Sequence, residues 1–114
     1  MDKFDKQKIN NELYECFANI TSANDVKDLL QDLCTPSEVE QMAQRLLCAK
    51  LLLKGYTYSQ IIEITDISSA TLSRVSRCIK YGSGGYADIV GKMVGDDKNE
   101  KDWFFWRRKI VFWP

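Results

Sequence analysis

Three basic side chains, Arg74, Arg77 and Lys80, recur at intervals of three in the middle of the chain, after a run of small polar residues. Intervals of three to four place side chains on one face of an α-helix. Small side chains let such a helix enter the major groove of double-stranded DNA, and basic groups then bind phosphates beside the groove. The segment predicts a DNA-binding face made of Ser68, Ser69, Ala70, Thr71, Ser73, Arg74, Arg77 and Lys80.

Two short helices joined by a tight turn must position this face, between about Thr57 and Tyr81. Thr57 and Gln60 have the spacing of a capping box for the first helix, and Ser68 or Ser69 can cap the second. We expect Asp66 to adopt a left-handed backbone in the turn, because Asp tolerates it better than most residues. The segment has the pattern of a helix-turn-helix motif.

Apolar residues fix the angle between these two helices. Ile61 and Ile62 of the first helix are expected to pack on Ile67, Leu72 and Val75. The β-branched run around Ile61 also fits a β-strand, but no other segment offers such a strand a partner. We therefore interpret the run as helical, although an ordinary helical hairpin with a solvated polar face would show the same pattern.

The first half of the chain predicts three further helices. Apolar residues at helical spacing mark one helix from Lys6 to Ile20 and a shorter one that ends near Leu33. The sequence Thr35-Pro36-Ser37-Glu38 combines a capping residue, a proline at the first helical position and a capping-box glutamate. The long helix that begins there ends at Gly55 and is apolar nearly all round in its second half, which predicts the most buried element.

The length and composition of the chain limit the classes of protein to which it could belong. The 114 residues suffice for one domain, and 16 basic side chains balance 16 acidic ones, so a basic surface can only be local. An enzyme is disfavoured because the chain has no histidine, no phosphate-binding loop and no pair of carboxylates within apolar sequence.

The four cysteines are widely spaced, without a C-x-x-C pair that could bind zinc. Three of them stand among apolar helical residues, where buried reduced thiols are expected, and this usage is typical of the reducing cytoplasm. The sequence has no apolar run long enough to span a bilayer and no signal-peptide pattern. We therefore expect a cytoplasmic protein without a membrane partner.

The order of these features resembles the Trp repressor family, in particular its Trp-repressor-like branch. The similarity extends over about residues 5 to 90 and includes Thr35-Pro36-Ser37-Glu38, Arg45 in a leucine-rich helix, and Ala70-Thr71-Leu72-Ser73-Arg74. It implies an all-α fold of six helices, intertwined as a homodimer that binds an operator in double-stranded DNA as a repressor. The domain would then span residues 1–94, with dimerisation helices in 5–54 and the helix-turn-helix in 57–81.

The resemblance also implies a ligand site. The two arginines that flank the tryptophan corepressor in the family fall on Arg45 and Arg74, although Arg45 could equally form a salt bridge to a neighbouring helix. Val75 stands where the family repressor has a glycine, and Cys78 stands where it has a serine that contacts the ligand's amino group. We expect L-tryptophan to bind weakly or not at all, because Val75 occupies space that the indole needs.

Residues 95–114 are expected to form a polar linker and an aromatic C-terminal tail, which holds all three tryptophans. The tail could be an arm that packs in the dimer, a membrane-surface anchor, or sequence outside the family's usual end. The main rival to a DNA-binding protein is a protein-interaction module that reuses the helix-turn-helix surface without a ligand.

Overall fold

The structure is a computed structural model, and it describes residues 5–96. Every regular element in this range is helical, as the all-α prediction requires. The chain forms the helices α1 (Lys6–Ala18), α2 (Ala23–Leu33), α3 (Pro36–Leu53), α4 (Tyr58–Ile64) and α5 (Ser69–Tyr81), then a π-helical segment (Gly85–Val90) that runs into α6 (Gly91–Asp96). Contacts divide the chain into two units, residues 1–39 and 40–114. The expected aromatic tail, and all of the linker after Asp96, lie outside the described residues.

The first unit contains α1 and α2, and each begins at a capping side chain. The Asp5 carboxylate accepts hydrogen bonds from the backbone N–H groups of Gln7 and Lys8, at 3.1 and 3.3 Å. The Ser22 hydroxyl accepts one from Asp25 N–H at 3.1 Å. These caps satisfy amide groups that the first helical turn leaves without partners. Neither helix has a buried residue.

The start of α3 is the capping box that the sequence predicts. Thr35 N–H donates to the Glu38 carboxylate at 2.9 Å, and Glu38 N–H donates to the Thr35 hydroxyl at 3.2 Å. Hydrogen bonds to the Glu38 carboxylate from the Thr35 backbone N–H and, to a lesser extent, from the Thr35 side chain lower the pKa of Glu38, because they favour the charged form. The reciprocal pair fixes the residue at which α3 begins.

The end of α3 is equally well defined. Gly55 has a φ of 94°, in the left-handed region, and its N–H donates to Leu52 C=O at 3.0 Å. Tyr56 N–H then donates to Leu51 C=O at 3.1 Å, which completes a Schellman motif. Gly55 therefore ends the helix as predicted, by adopting a left-handed backbone conformation that residues with a Cβ atom disfavour.

One buried cluster holds the second unit together. It joins Cys48, Ala49 and Leu51 of α3 to residues of the later elements, which are Ile61, Ile67, Leu72, Val75 and Val90. Since α3 contributes three of these eight residues, more than any other element, it is the most buried helix, as predicted.

The cysteines differ from the expectation of three buried thiols. Only Cys48 is buried, and burial raises its pKa. Cys34 is half-buried, and Cys16 and Cys78 are exposed. The prediction of three buried thiols is therefore wrong. It rested on apolar neighbours along the sequence, but the cysteines of α1 and α5 lie outside the cluster that buries Cys48.

We predict that Gly55→Ala lowers the free energy of unfolding by about 1 to 2 kcal/mol, because alanine is strained at a left-handed φ. Gly91→Ala is the matched control: Gly91 is helical, a Cβ there meets no atom within 4 Å, and alanine favours a helix. Urea denaturation of both variants measures the difference. Equal stability of the two variants would contradict the role given to Gly55.

Candidate nucleic-acid interface

Helix α4 begins at a second capping box. Thr57 N–H donates to the Gln60 side-chain oxygen at 2.9 Å, and Gln60 N–H donates to the Thr57 hydroxyl at 3.2 Å. The helix ends where Thr65 turns to an extended backbone. The isoleucine-rich run is thus helical, and the strand alternative is wrong, because the cap and the buried cluster outweigh the β propensity of isoleucine.

The two isoleucines of α4 that the sequence predicts to pack on Ile67, Leu72 and Val75 behave differently. Ile61 is fully buried, whereas 47% of Ile62 is exposed. Consecutive helical residues point about 100° apart, so only one of them can face the cluster. Ile64, three residues after Ile61, packs partly against the cluster instead. The prediction for Ile62 is therefore wrong, and the predictions for Ile67, Leu72 and Val75 are confirmed.

The turn between α4 and α5 also differs from expectation. No residue other than glycine has a positive φ in the described range, so Asp66 is not left-handed. Thr65 and Ser68 are extended, and Ile67 N–H donates to the Thr65 hydroxyl at 3.3 Å. Ile67 is 5% exposed, and the turn is held by burying this side chain.

Ser68, one of the two serines predicted to cap α5, is the capping residue. The Ser68 hydroxyl accepts a hydrogen bond from Thr71 N–H at 3.2 Å, and it donates to the Thr71 hydroxyl at 3.0 Å. Leu72 and Val75 are 0% and 1% exposed, and together they anchor one face of the helix. Their burial turns the residues between them outward.

The outward face of α5 contains the residues predicted to meet DNA. Thr71 is half-buried, and the others are exposed, namely Ser68, Ser69, Ala70, Ser73, Arg74, Arg77 and Lys80. The first turn presents hydroxyl and methyl groups, and the following turns present three cations. This order matches a helix whose N-terminal end enters a groove while its later turns lie near phosphates.

The residues predicted to bind a ligand differ in their exposure to solvent. Arg45 is half-buried on α3, Arg74 is exposed on α5, and Val75 is in the buried cluster. Cys78 borders an open cavity, which has a volume of about 400 Å3 and whose other lining residues are Gly82, Ser83, Gly85, Tyr86, Ile89 and Val90. The sequence analysis missed this cavity, and the glycines after α5 were its only signal.

Comparison with known proteins agrees with this architecture. Residues 8–94 match the Trp repressor protein family. The chain belongs to the Trp repressor family. This match covers most of the described helices, and it confirms the resemblance found from the sequence. The Trp repressor family consists of DNA-binding regulators rather than enzymes.

Two relatives support the assignment. The chain is 42% identical over 78 residues to YerC, an uncharacterised protein of Bacillus subtilis (strain 168), and the match covers 66% of this chain and 75% of YerC. The crystal structure of a candidate Trp repressor from Staphylococcus aureus superimposes with a TM-score of 0.71 at 32% identity. That superposition covers 75% of this chain and 86% of the other.

The described residues offer neither a membrane span nor a metal site. Within residues 5–96, no helix is both long and apolar enough to cross a membrane. The same range contains no group of three cysteine or carboxylate side chains placed to hold a metal ion.

We predict that L-tryptophan gives little or no heat when titrated into this member of the Trp repressor family. Overpacking of a closed site costs about 1 to 3 kcal/mol, or roughly tenfold to a hundredfold in affinity, and Val75 is only 1% exposed, within the buried cluster. Val75→Gly should recover some tryptophan binding, with a lower free energy of unfolding, and calorimetry with thermal denaturation measures both. Tight binding of tryptophan by the unchanged protein would contradict this prediction.

Proposed function

We propose that this protein is a sequence-specific regulator of transcription that represses its target by binding double-stranded DNA as a homodimer. The observation that carries the proposal is the outward face of α5, where small polar residues precede Arg74, Arg77 and Lys80 on a helix anchored by buried Leu72 and Val75. A rigidly anchored helix can keep its side chains in register with base edges. We also place the protein in the cytoplasm, together with the DNA that it would bind.

The side chains of α5 divide between two tasks. Ser69 and Ser73 are short and exposed near the start of the helix, where hydroxyl groups can donate to base edges or accept from them. Arg77 and Lys80 are exposed near its end, where long cationic side chains reach phosphate oxygens. The first pair would set which sequence is preferred, and the second pair would set how tightly any DNA is held.

The homodimer follows from the apolar residues that α1 and α2 leave uncovered. Ile9, Leu13 and Phe17 of α1 recur at intervals of four, yet they are 46%, 41% and 36% exposed. Leu33 at the end of α2 is 53% exposed. Isolated helices of this length are marginal in water, so these faces need a partner surface. A second copy of the chain provides one through two-fold symmetry.

In this arrangement the domain spans residues 1–94. Residues 5–54 would supply the dimer contacts, and residues 57–81 would supply the helix-turn-helix. The two copies of α5 would then meet successive major grooves about 34 to 36 Å apart on a site of approximate two-fold symmetry.

The division of tasks on α5 is tested by salt dependence. Each phosphate contact contributes about 0.9 to the slope of log affinity against log salt concentration, so Arg77→Ala should flatten the slope for all DNA sequences. Lys92→Ala removes the same charge from exposed α6 and should leave the slope nearly unchanged. Ser73→Ala should instead change which site is selected from random DNA. Identical slopes for the Arg77→Ala variant and the unchanged protein would show that Arg77 does not contact phosphate.

The dimer is tested by sedimentation and footprinting. We expect a dimer at micromolar concentration that dissociates only on unfolding, and protection of two half-sites one helical turn apart. Leu13→Glu places a charge in the uncovered face of α1 and should yield unfolded or aggregated chains, whereas Glu12→Gln beside it should leave the dimer intact. A stable folded monomer, or protection of a single isolated half-site, would contradict the proposed geometry.

A protein-interaction module is the second candidate function. Its basis is the exposure of Ile62 and Tyr58 on α4, which a partner protein could cover. Binding to duplex DNA that weakens with salt separates the two functions, because DNA binding releases counterions.

A further inference from the structure

Tyr81, the last residue of α5, leaves a large aromatic side chain in solvent. It is 83% exposed, the highest value among the large apolar and aromatic side chains of the described residues. Tyr81 does not belong to the buried cluster, and it is not among the residues predicted from the sequence to meet DNA. Its position on the helix indicates what it could contact.

The Tyr81 side chain lies on the outward face of α5, in line with the two arginines. Seven residues make about two helical turns, so Tyr81 lies within about 20° of Arg74 around the helix axis and within about 40° of Arg77. Leu72, which is 0% exposed, lies about two and a half turns before Tyr81, on the opposite side of the helix. The burial that anchors α5 therefore directs Tyr81 to the same side as the arginines.

The length of α5 places Tyr81 at the edge of the groove that the helix would enter. From Ser69 to Tyr81 the helix rises about 18 Å, at about 1.5 Å per residue. The major groove of DNA is about 12 Å wide and about 8.5 Å deep. A helix that enters the groove by its first turn therefore carries Tyr81 out to the sugar-phosphate backbone. The hydrogen-bond acceptors there are phosphate oxygens rather than base edges.

A tyrosine side chain suits a contact with phosphate. Its hydroxyl is an uncharged hydrogen-bond donor, and its bond to an anionic phosphate oxygen would be charge-assisted. The rigid ring carries this hydroxyl away from the helix at a low cost in conformational entropy. Tyrosine differs from Arg77 and Lys80 in one respect: it binds a phosphate without neutralising its charge.

We propose that Tyr81 is a further DNA-contact residue, whose hydroxyl donates a hydrogen bond to a phosphate oxygen at the edge of the groove. The inference rests on the proposed DNA-binding function and extends the face of α5 by one residue beyond Lys80. It assigns Tyr81 to affinity and not to sequence preference, because every nucleotide carries the same phosphate group. Only the neutralisation of phosphates by cations releases counterions, so the contribution of Tyr81 should not depend on salt.

Three variants separate these roles. Tyr81→Phe removes only the hydroxyl of an exposed side chain and should leave the fold unchanged. Tyr14→Phe is the matched control, because Tyr14 is 62% exposed on α1, outside the helix-turn-helix. Tyr81→Lys replaces the uncharged donor with a cationic donor at the same position.

The experiment measures the affinity of the full chain over a range of salt concentrations. The probes are a duplex that the unchanged protein selects from random DNA and a duplex of random sequence. We expect Tyr81→Phe to lower the affinity for both duplexes about five- to fiftyfold, because each subunit of the dimer loses one hydrogen bond to a charged group. The slope of log affinity against log salt concentration should stay as in the unchanged protein.

The other variants should respond differently to salt. Tyr81→Lys should steepen the slope by about 0.9 per subunit, whereas Arg77→Ala should flatten it. Tyr14→Phe should bind both duplexes as the unchanged protein does.

Three results would overturn the inference. Equal affinities of Tyr81→Phe and the unchanged protein would show that the hydroxyl makes no contact with DNA. A change in the sequence that Tyr81→Phe selects would mean that the hydroxyl contacts a base edge. Weaker self-association of Tyr81→Phe in sedimentation would mean that Tyr81 lies between copies of the chain.

The same measurements decide the DNA-binding function separately. Salt-dependent binding by the unchanged protein, with a flatter slope for Arg77→Ala, supports that function whichever result Tyr81→Phe gives. If the unchanged protein does not bind duplex DNA, the proposed function fails and the role of Tyr81 fails with it.

Discussion

The burial of one side of α5 is the constraint on which the second unit depends. Leu72 and Val75 are almost completely excluded from solvent beside Cys48 and Ile61. Burying each such side chain contributes about 1.5 to 3 kcal/mol, far more than any exposed polar contact of the helix. Since the apolar side determines the rotation of α5 about its axis, it also determines which residues face outward. The candidate DNA-binding face is therefore a consequence of core packing.

The helix ends supply the second constraint. Thr35 with Glu38, and Thr57 with Gln60, form reciprocal capping boxes, while Ser68 caps α5. Each cap contributes only about 1 kcal/mol, but it selects the residue at which a helix begins. A start shifted by one residue would rotate the rest of the helix by about 100° relative to its connection. Arg74 and Arg77 therefore face outward only if the capped start of α5 and its packing in the core require the same rotation of the helix.

The sequence was sufficient to predict these features because they depend on local signals. Capping boxes, the glycine stop at Gly55 and the apolar spacing in α5 each lie within a few residues, and all appear in the structure as expected. The errors concern features that depend on distant contacts. Whether Ile62 or Ile64 faces the cluster depends on where α3 and α5 lie, and so does the exposure of Cys78. The backbone of Asp66 depends on the burial of its neighbour Ile67.

The burial of Val75 bears on whether a ligand could regulate the orientation of α5. A glycine at this point of α5, as the family resemblance implies for the tryptophan-binding repressor, would leave open the volume that valine occupies here. With Val75 in the cluster, the orientation of α5 is stabilised by the protein's own side chains. A ligand can shift an equilibrium only by its differential affinity for two states. A ligand that took the place of the family's indole would therefore have to displace Val75 from the buried cluster before it could shift the orientation of α5.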